Sequence, residues 1–550
     1  MPAPLPPWAA KLVTLFESQA ANQFLLYGNV NDRFVLPLAE GNCLGSIYDF
    51  LRRVMMPRFD VVLSYDLGNG IRVDKGGGIL TKWPGFKETP ELPRAPRQAV
   101  EWLTRYFRYA ANLARLGQES PHIGFTMKAA HLVVPATQVI PNYELSALAL
   151  LMRDWATDEL LAQNALVTWL IADNRIDVHP LLVNNPRTAA IEVPLPTADE
   201  LREAIEIIAP KHPIALAELG ANKDLFAQQL VGTTTHSVEH LLRVTEHDKK
   251  TLTANDVAKL KKELVERDAA GLIEFIEPTR TLDDIYAQDR LKVALRQDIA
   301  LWRAGDLQAL PMGYLICGPV GTGKTYLVEC LAGEAGVPVV KLKNFRDKWV
   351  GSTEGNLEKI FRLLKSLGRC LVFIDEADQS LGKRDSGAND SGLSGRIYSM
   401  FAEEMSNTLN RGKIIWILAS SRPDLIEVDL KRPGRVDVKV PIFPTANADE
   451  GLMLITALCK RRGVEFAAET REQIMPMVPP LLTPGAAEAI AVKVYRTMKT
   501  EKLLAFDALR NTLDSYQNPI PKDILEFQIA LAAREASDVD FVPECFRHLR

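Results

Sequence analysis

The 550-residue chain has no CxxC pair. Its six cysteines, Cys43, Cys317, Cys330, Cys370, Cys459 and Cys545, are scattered, and they form no metal-ligand cluster with the eight histidines. A disulfide framework and a structural zinc site are not called for, and a reduced, cytoplasmic protein is expected. Long hydrophobic runs are missing too. No stretch reaches the roughly 18 consecutive apolar residues that cross a bilayer, so no membrane partner is expected. The start, "MPAPLPPWAAKLVTLF", lacks the basic residues and apolar run of a secretory signal. An excess of one charge is also absent. Lys and Arg number 65 against 69 Asp and Glu, a net −4, which does not demand a nucleic-acid partner.

What is present is an ordinary globular composition, 47% hydrophobic and 24% charged, in a chain too long for one typical core. Short apolar runs alternate with longer amphipathic ones. "FLLYG" (24–28), "DVVLSYD" (60–66), "ALVTWLIAD" (165–173) and "AAIEVPL" (189–195) read as strands in the first half. "VPVVKLK" (337–343), "RCLVFID" (369–375), "KIIWILAS" (413–420) and "RVDVKVPI" (435–442) do so in the second. Runs such as "EGNLEKIFRLLKSL" (354–367) carry the helical 3.6-residue period. The alternation predicts α/β units on mostly parallel sheets. Residues of about 197–267 and 447–535 read as almost wholly helical, and "EFIEPTRTLDD" (274–284) reads as the linker between halves.

The chain repeats itself. "WLIADNRIDVHPLLVNNPRTAAIEVP" (169–194) aligns without a gap over "WILASSRPDLIEVDLKRPGRVDVKVP" (416–441). Trp169 meets Trp416, Ala172 meets Ala419, Arg175 meets Arg422 and Pro194 meets Pro441. Both copies continue into a PTA segment, an acidic pair and a helical region. Two copies of one unit, an α/β part followed by a helical lid, are therefore expected.

Only the second copy carries charged chemistry. "GPVGTGKT" (318–325) fits G-x-x-x-x-G-K-[ST], between the strand-like "GYLIC" and the helical "TYLVECLAGEAG". Glycines let backbone N–H groups turn inward around a phosphate. Lys324 supplies a point charge to the β- and γ-phosphates, and the Thr325 hydroxyl suits Mg²⁺. The strand "LVFIDE" (371–376) ends in two acids. Asp375 can hold Mg²⁺ through water, and Glu376 can orient and deprotonate an attacking water. A nucleoside triphosphate, ATP, with Mg²⁺ is the expected ligand.

With these motifs in hand, residues of about 280–500 resemble the AAA+ ATPases, in particular the AAA branch that remodels proteins. The resemblance implies further roles. The loop Gly318, Pro319, Val320, Gly321, Thr322, Gly323, Lys324, Thr325 and Tyr326 would hold the nucleotide. Asp284 and Ile285 would lie on its adenine side, and Gly485 and Ala486 in "TPGAAEAI" (483–490) would approach it from the lid. Trp349, Val350 and Gly351 stand where the family has an aromatic–hydrophobic–glycine pore loop, followed by "STEGNLEKIF". "LKRPGR" (430–435) matches the arginine-finger segment, making Arg432 and Arg435 a pair that acts on a neighbouring subunit. Two positions depart from the pattern. Ser421 replaces the usual sensor Asn, and Tyr286 and Ala287 replace glycines after Asp284-Ile285.

The first copy looks degenerate. "FLLYGNVNDRF" (24–34) has no GK[ST], and "HLVVPATQVIP" (131–141), the nearest candidate for the acid-bearing strand, ends without an acidic pair. Asn185 and Thr188 align with the two arginines, and Asn174 with the sensor. The whole chain is thus similar to bacterial two-copy AAA proteins: an α/β fold of two AAA+-like units, each a parallel-sheet P-loop-type subdomain with a helical lid. The expected division is 1–265 for the degenerate module (α/β part to about 196, lid about 197–265), 266–445 for the active α/β subdomain and 446–550 for its lid. The long loop 74–97, with Trp83, is a candidate surface for recruiting a partner. An ATPase is expected that assembles as a homo-oligomer, with a hexamer implied, and remodels, unfolds or disassembles protein substrates. An ATP-gated assembly protein with slow turnover is the alternative. A nucleic-acid motor ranks last, because "NFRDKWVGSTEGN" (344–356) mixes charges of both signs.

Overall fold

The computed structural model describes residues 5–38, 40–87, 91–136, 142–162, 166–217, 223–269, 271–276, 279–285, 288–343, 353–381, 391–467 and 470–550. The chain divides into two compact units, Met1–Ala269 with Gly351–Leu367, and Ala270–Val350 with Gly368–Arg550.

The first unit holds β1 (Gln23–Gly28), β2 (Arg33–Leu38), β3 (Gly41–Ser46), β4 (Val61–Asp66), β5 (Gly70–Lys75), β6 (Ile123–Met127), β7 (Leu166–Ala172) and β8 (Thr188–Val193). Six of them form one sheet in the order β5-β4-β6-β7-β1-β8, with β2 and β3 pairing separately. All neighbours are parallel except the edge pair β4 and β5. The strands are apolar at nearly every position because both faces are covered, as parallel sheets require. Phe24, Leu26, Trp169 and Ile171 face one cluster, with Trp8 and Leu12 of the helix Pro7–Glu17. Leu25, Phe125, Met127 and Leu170 face the other, with Trp102, Phe107 and Trp155 of the helices Pro96–Arg115 and Tyr143–Thr157. The helices Ala198–Ile208, Lys223–Gln229, Thr235–His247 and Ala254–Asp268 follow, gathering apolar residues into a cluster that includes Leu201, Phe226, Leu242 and Val257.

The second unit holds β9 (Ile273–Ile276), β10 (Gly313–Cys317), β11 (Val339–Leu342), β12 (Cys370–Ile374), β13 (Ile414–Ser420) and β14 (Val438–Pro441), in the order β14-β10-β13-β12-β11-β9. Again only the edge strand, β9, is antiparallel. Read from the opposite edge, the first sheet has the same order. β8, β1, β7, β6, β4 and β5 take the places of β14, β10, β13, β12, β11 and β9. Trp169 and Trp416, matched in the repeat, are both fully buried. The helices Ala448–Lys460, Thr470–Ile474, Pro484–Glu501 and Ala505–Asp514 match the first lid in number. One more helix, Lys522–Glu535, packs against Cys317 and Phe443 of the α/β part.

Three sequence expectations are corrected. The strand that occupies the acid-bearing place in the first sheet is β6, Ile123–Met127, and not 131–141. Residues Ala130–Val133 form a short helix instead, and 137–141 lie outside the described residues. The segment 274–284 is not simply a linker, because Glu274–Ile276 are in β9 and pair with β11. The stretch 74–97 is not an open loop. It contains the end of β5 and the helices Gly77–Leu80 and Pro84–Lys87. Trp83 is buried, its ring 5.0 Å from that of Trp102 and 5.3 Å from that of Tyr106. Among the described residues, no helix is long and apolar enough to cross a membrane.

Candidate active site

Parallel strands deliver their C-terminal ends to one edge of the sheet, and loops there converge on ligands. In the second unit, β10 ends at Cys317 and gives way to the glycine-rich loop. A Cβ on Gly318 would lie 2.1 Å from the Ile442 carbonyl oxygen, so only glycine fits this close approach. Gly323, at φ 87, caps the helix Lys324–Ala335. That helix aims its N-terminal N–H groups and positive dipole end into the loop. The Lys324 ammonium folds back and donates to the Gly318 and Pro319 carbonyls at 2.9 and 3.0 Å. Burial pulls its pKa below the ordinary lysine value, with the Asp375 carboxylate acting in the other direction. Behind the loop, burial pushes the Cys317 thiol up to about 12, leaving it inert.

Asp375 follows β12 directly. Its Oδ2 accepts from Thr325 Oγ1 at 3.3 Å and from Lys341 Nζ at 2.9 Å. Glu376 is exposed and occupies the left-handed region at φ 47, capping the helix Ala377–Ser380. A glycine-lined loop, a half-buried ammonium and a hydroxyl beside a carboxylate fit a magnesium–nucleoside triphosphate. Thr325 and Asp375 would hold the Mg²⁺, which when bound neutralises charge on the β- and γ-phosphates.

The lid reaches this loop. Gly485 N–H donates to the Gly321 carbonyl at 2.9 Å, and Thr483 caps the helix Pro484–Glu501 by accepting from Ala486 N–H. Asp284 lies on the other side, its carbonyl accepting from the Tyr326 hydroxyl at 3.4 Å and its carboxylate 3.8 Å from Arg461. Ile285 packs on the core beneath. At the end of β13, Ser420 rather than Ser421 makes the tie to the acidic segment, donating to Asp378 at 2.5 Å. Arg432 and Arg435 share Asp429. Arg432 is 69% exposed and bonds it at 2.8 Å, while Arg435 is mostly buried and pairs with its other oxygen. Tyr286, Ala287 and the proposed pore residues Trp349, Val350 and Gly351 lie outside the described residues.

Residues 314–443 match the model of the ATPase family associated with various cellular activities (AAA). Residues 1–194 match the AAA+ chaperone, N-terminal Rossmann-like domain. The chain thus carries an AAA ATPase domain behind an AAA+ chaperone N-terminal domain. It is 26% identical over 398 residues to the Cell division cycle protein 48 homolog of Archaeoglobus fulgidus, covering 63% of this chain and 53% of that protein. It is 33% identical over 194 residues to the ATP-dependent zinc metalloprotease FtsH 1 of Salinibacter ruber, covering 33% of this chain and 28% of that one. With Protein mac-1 of Caenorhabditis elegans it shares 32% over 169 residues, 29% of this chain and 20% of that one. The chain thus spans about half the length of the archaeal relative, and less of the other two.

The first copy keeps the backbone of this site and changes its chemistry. After β6, Lys128 and Ala129 stand where Asp375 and Glu376 stand after β12. Ala129 keeps the same left-handed turn, at φ 48, and caps the helix Ala130–Val133. A cation has thus replaced the acid suited to a metal. Lys128 lies over the Tyr48 ring, 4.1 Å from its centre. Asn185 and Thr188, at the two finger positions, are buried. Asn185 donates to Thr188 Oγ1 at 3.0 Å, and Thr188 donates to Gln23 Oε1 at 2.8 Å. Asn174, at the sensor position, donates to Asp177 at 2.8 Å and accepts from Arg362 at 2.7 Å.

Two site residues were not found by sequence reasoning. Lys341 pairs with Asp375 from β11, and its only signal was a lysine inside an apolar strand. Gln528 accepts from the Val320 N–H of the phosphate loop at 3.2 Å. It sits on the helix Lys522–Glu535, some 200 residues later, where no local pattern marks it.

Proposed function

We propose that the second unit hydrolyses ATP and that the chain uses this energy, as a homo-oligomeric ring, to remodel or take apart protein assemblies. The observation that carries the reading is the convergence of Lys324, Thr325 and Asp375 on one glycine loop, with Glu376 turned outward beside them. Lys324 would bind the β- and γ-phosphates, and Glu376 would orient and deprotonate the attacking water. Arg432, which is exposed, would serve a neighbour's nucleotide, together with Arg435. A hexamer is the ring size the resemblance implies, and the relatives, which include a protease and a cell-division protein, suit protein substrates. Trp349 would grip a polypeptide in the pore. The first copy would be a nucleotide-free scaffold or adaptor, since Lys128 and Ala129 replace both acids. Cytoplasmic placement accords with cysteines that form no disulfide among the described residues.

A slower, ATP-gated assembly role is the second reading, favoured by the short Ser421 at the sensor position. Steady-state ATP turnover with and without an unfolded protein separates the two. Several-fold stimulation by the unfolded chain supports remodelling, and slow, unresponsive turnover supports gating. Stimulation by DNA in place of protein would overturn both.

A further inference from the structure

In the first unit the loop after β1 takes the place of the phosphate loop. Gly28, at φ 105, makes the same close approach as Gly318. A Cβ there would lie 2.6 Å from the Val193 carbonyl oxygen, at the end of the strand equivalent to β14, which Ile442 directly follows. Beyond it comes Asp32, 4% exposed. Its Oδ2 accepts from Thr235 N–H at 2.9 Å and from Asn29 Nδ2 at 2.9 Å. Its Oδ1 accepts from His236 N–H at 2.8 Å and from its neighbour Arg33 N–H at 2.7 Å. Thr235 and His236 open the 13-residue lid helix Thr235–His247, capped by Thr234. This is where the second unit's lid helix, capped by Thr483, meets its own phosphate loop through Gly485.

Each oxygen thus takes one N–H from the lid and one donor from the segment that runs from β1 into the start of β2. Two successive helix N–H groups, a loop N–H and an amide converging on one point form the donor set of an anion site. Burial raises the carboxyl's pKa, against the pull of these four donors. Beside it lies a cavity of about 350 Å³ lined by Asn31, His236, His240 and Arg267 among others.

We propose that the Asp32 carboxylate is a built-in substitute for a bound phosphate, filling the anion site between loop and lid so that the first unit's lid is latched to its sheet without nucleotide. This rests on the reading of the first copy as nucleotide-free. It explains how a copy with no phosphate-binding lysine keeps its lid docked. A charged acceptor shared by four donors supplies the attraction that a nucleotide otherwise provides.

The test uses the full chain carrying Lys324→Ala, which silences the second unit's loop, with and without Asp32→Ala. Hydrogen exchange is followed on peptides spanning residues 232–247, with inorganic phosphate as the probe. In the parent, exchange at Thr235 and His236 is expected to be slow and indifferent to phosphate. In Asp32→Ala it should rise about 10- to 100-fold, the loss expected for hydrogen bonds to a charged acceptor, and fall again when phosphate is added. Unchanged exchange in the variant would overturn the proposal. So would acceleration that phosphate does not reverse, which makes Asp32 a packing residue, or a parent that responds to phosphate as strongly as the variant. If Asp32→Ala does not fold, Asp32→Asn decides. Its amide can accept on only one side, so exchange at Thr235 or His236 should still rise, and parent-like exchange at both overturns the latch. Labelled-ATP binding by the Lys324→Ala parent tests the nucleotide-free reading separately.

Discussion

Lys324→Met should erase the stabilisation that ATP gives while leaving the nucleotide-free protein nearly as stable. The Lys324 ammonium is half-buried and bonded to two loop carbonyls. Its lowered pKa shows that burial already works against the charge. Losing two such bonds and recovering that desolvation nearly cancel, leaving a change of about 1 kcal/mol in either direction. With ATP at about 100 times its dissociation constant, the wild type gains about 2.7 kcal/mol. For a unit of this size that raises its melting temperature by roughly 5–11 °C. The variant should gain none of it, because the Lys324 ammonium is the cation bonded to the Gly318 and Pro319 carbonyls of this loop. Differential scanning calorimetry over an ATP series makes the comparison. A variant whose transition moves by the wild-type amount would refute the assignment of Lys324. Saturable micromolar binding of labelled ATP by the same variant would refute the nucleotide-free first copy.

Glu376→Gln should keep ATP binding and lower hydrolysis by about 10²–10⁴, the usual loss of a general base; phosphate release at the wild-type rate would count against it. Rings mixed from Arg432→Ala and Lys324→Ala subunits should recover part of the activity that each lacks alone, since one interface type pairs an intact loop with an intact arginine; mixed rings with no recovery would refute action between subunits. Trp349→Ala should leave basal ATP turnover largely intact and abolish unfolding of a protein substrate, with thermal melting checking that the variant is folded. The half-buried Glu535 binds Lys431 at 2.5 Å and Lys439 at 2.9 Å. Burial would raise its pKa, but these two lysines hold it below 4.5. Its contribution to stability is therefore present above that value and lost as the pH falls through the lowered pKa. Glu535→Gln should flatten the acid side of a melting-temperature profile and change little in the alkaline range.

Sequence pattern revealed most where structure is local. The phosphate loop could be read because its glycines, lysine and threonine are contiguous and lie between a strand and a helix. The repeat could be read because core tryptophans and strand-end prolines keep their spacing. β6 was missed because "IGFTM" is short and contains glycine, whereas "HLVVPATQVIP" offers more β-branched residues and turned out to begin as a helix. Propensity lost there to tertiary context: β6 is held between β4 and β7, and neither contact is visible in a local window. Trp83 looked like a loop residue among glycines and prolines, yet its ring completes an aromatic cluster with partners some 20 residues away. Asp32 and Gln528 act through contacts that span about 200 residues, a distance no periodicity encodes.

The turn leaving β6 and β12 has a wider meaning. Ala129 and Glu376 hold nearly the same left-handed backbone, φ 48 and φ 47, a conformation that costs an L-residue about 1–2 kcal/mol. If catalysis alone had required that strain, the alanine copy would have been free to relax. It has not relaxed, so the handover from strand to helix imposes the turn: Lys128 N–H is tied to Tyr65, and Ala130 accepts from Val134. The copy carrying Lys128 and Ala129 therefore serves as an internal control, separating the distortions that belong to the architecture from those that belong to the chemistry. By that measure the glutamate inherits its direction from a scaffold that aims whatever residue is placed there.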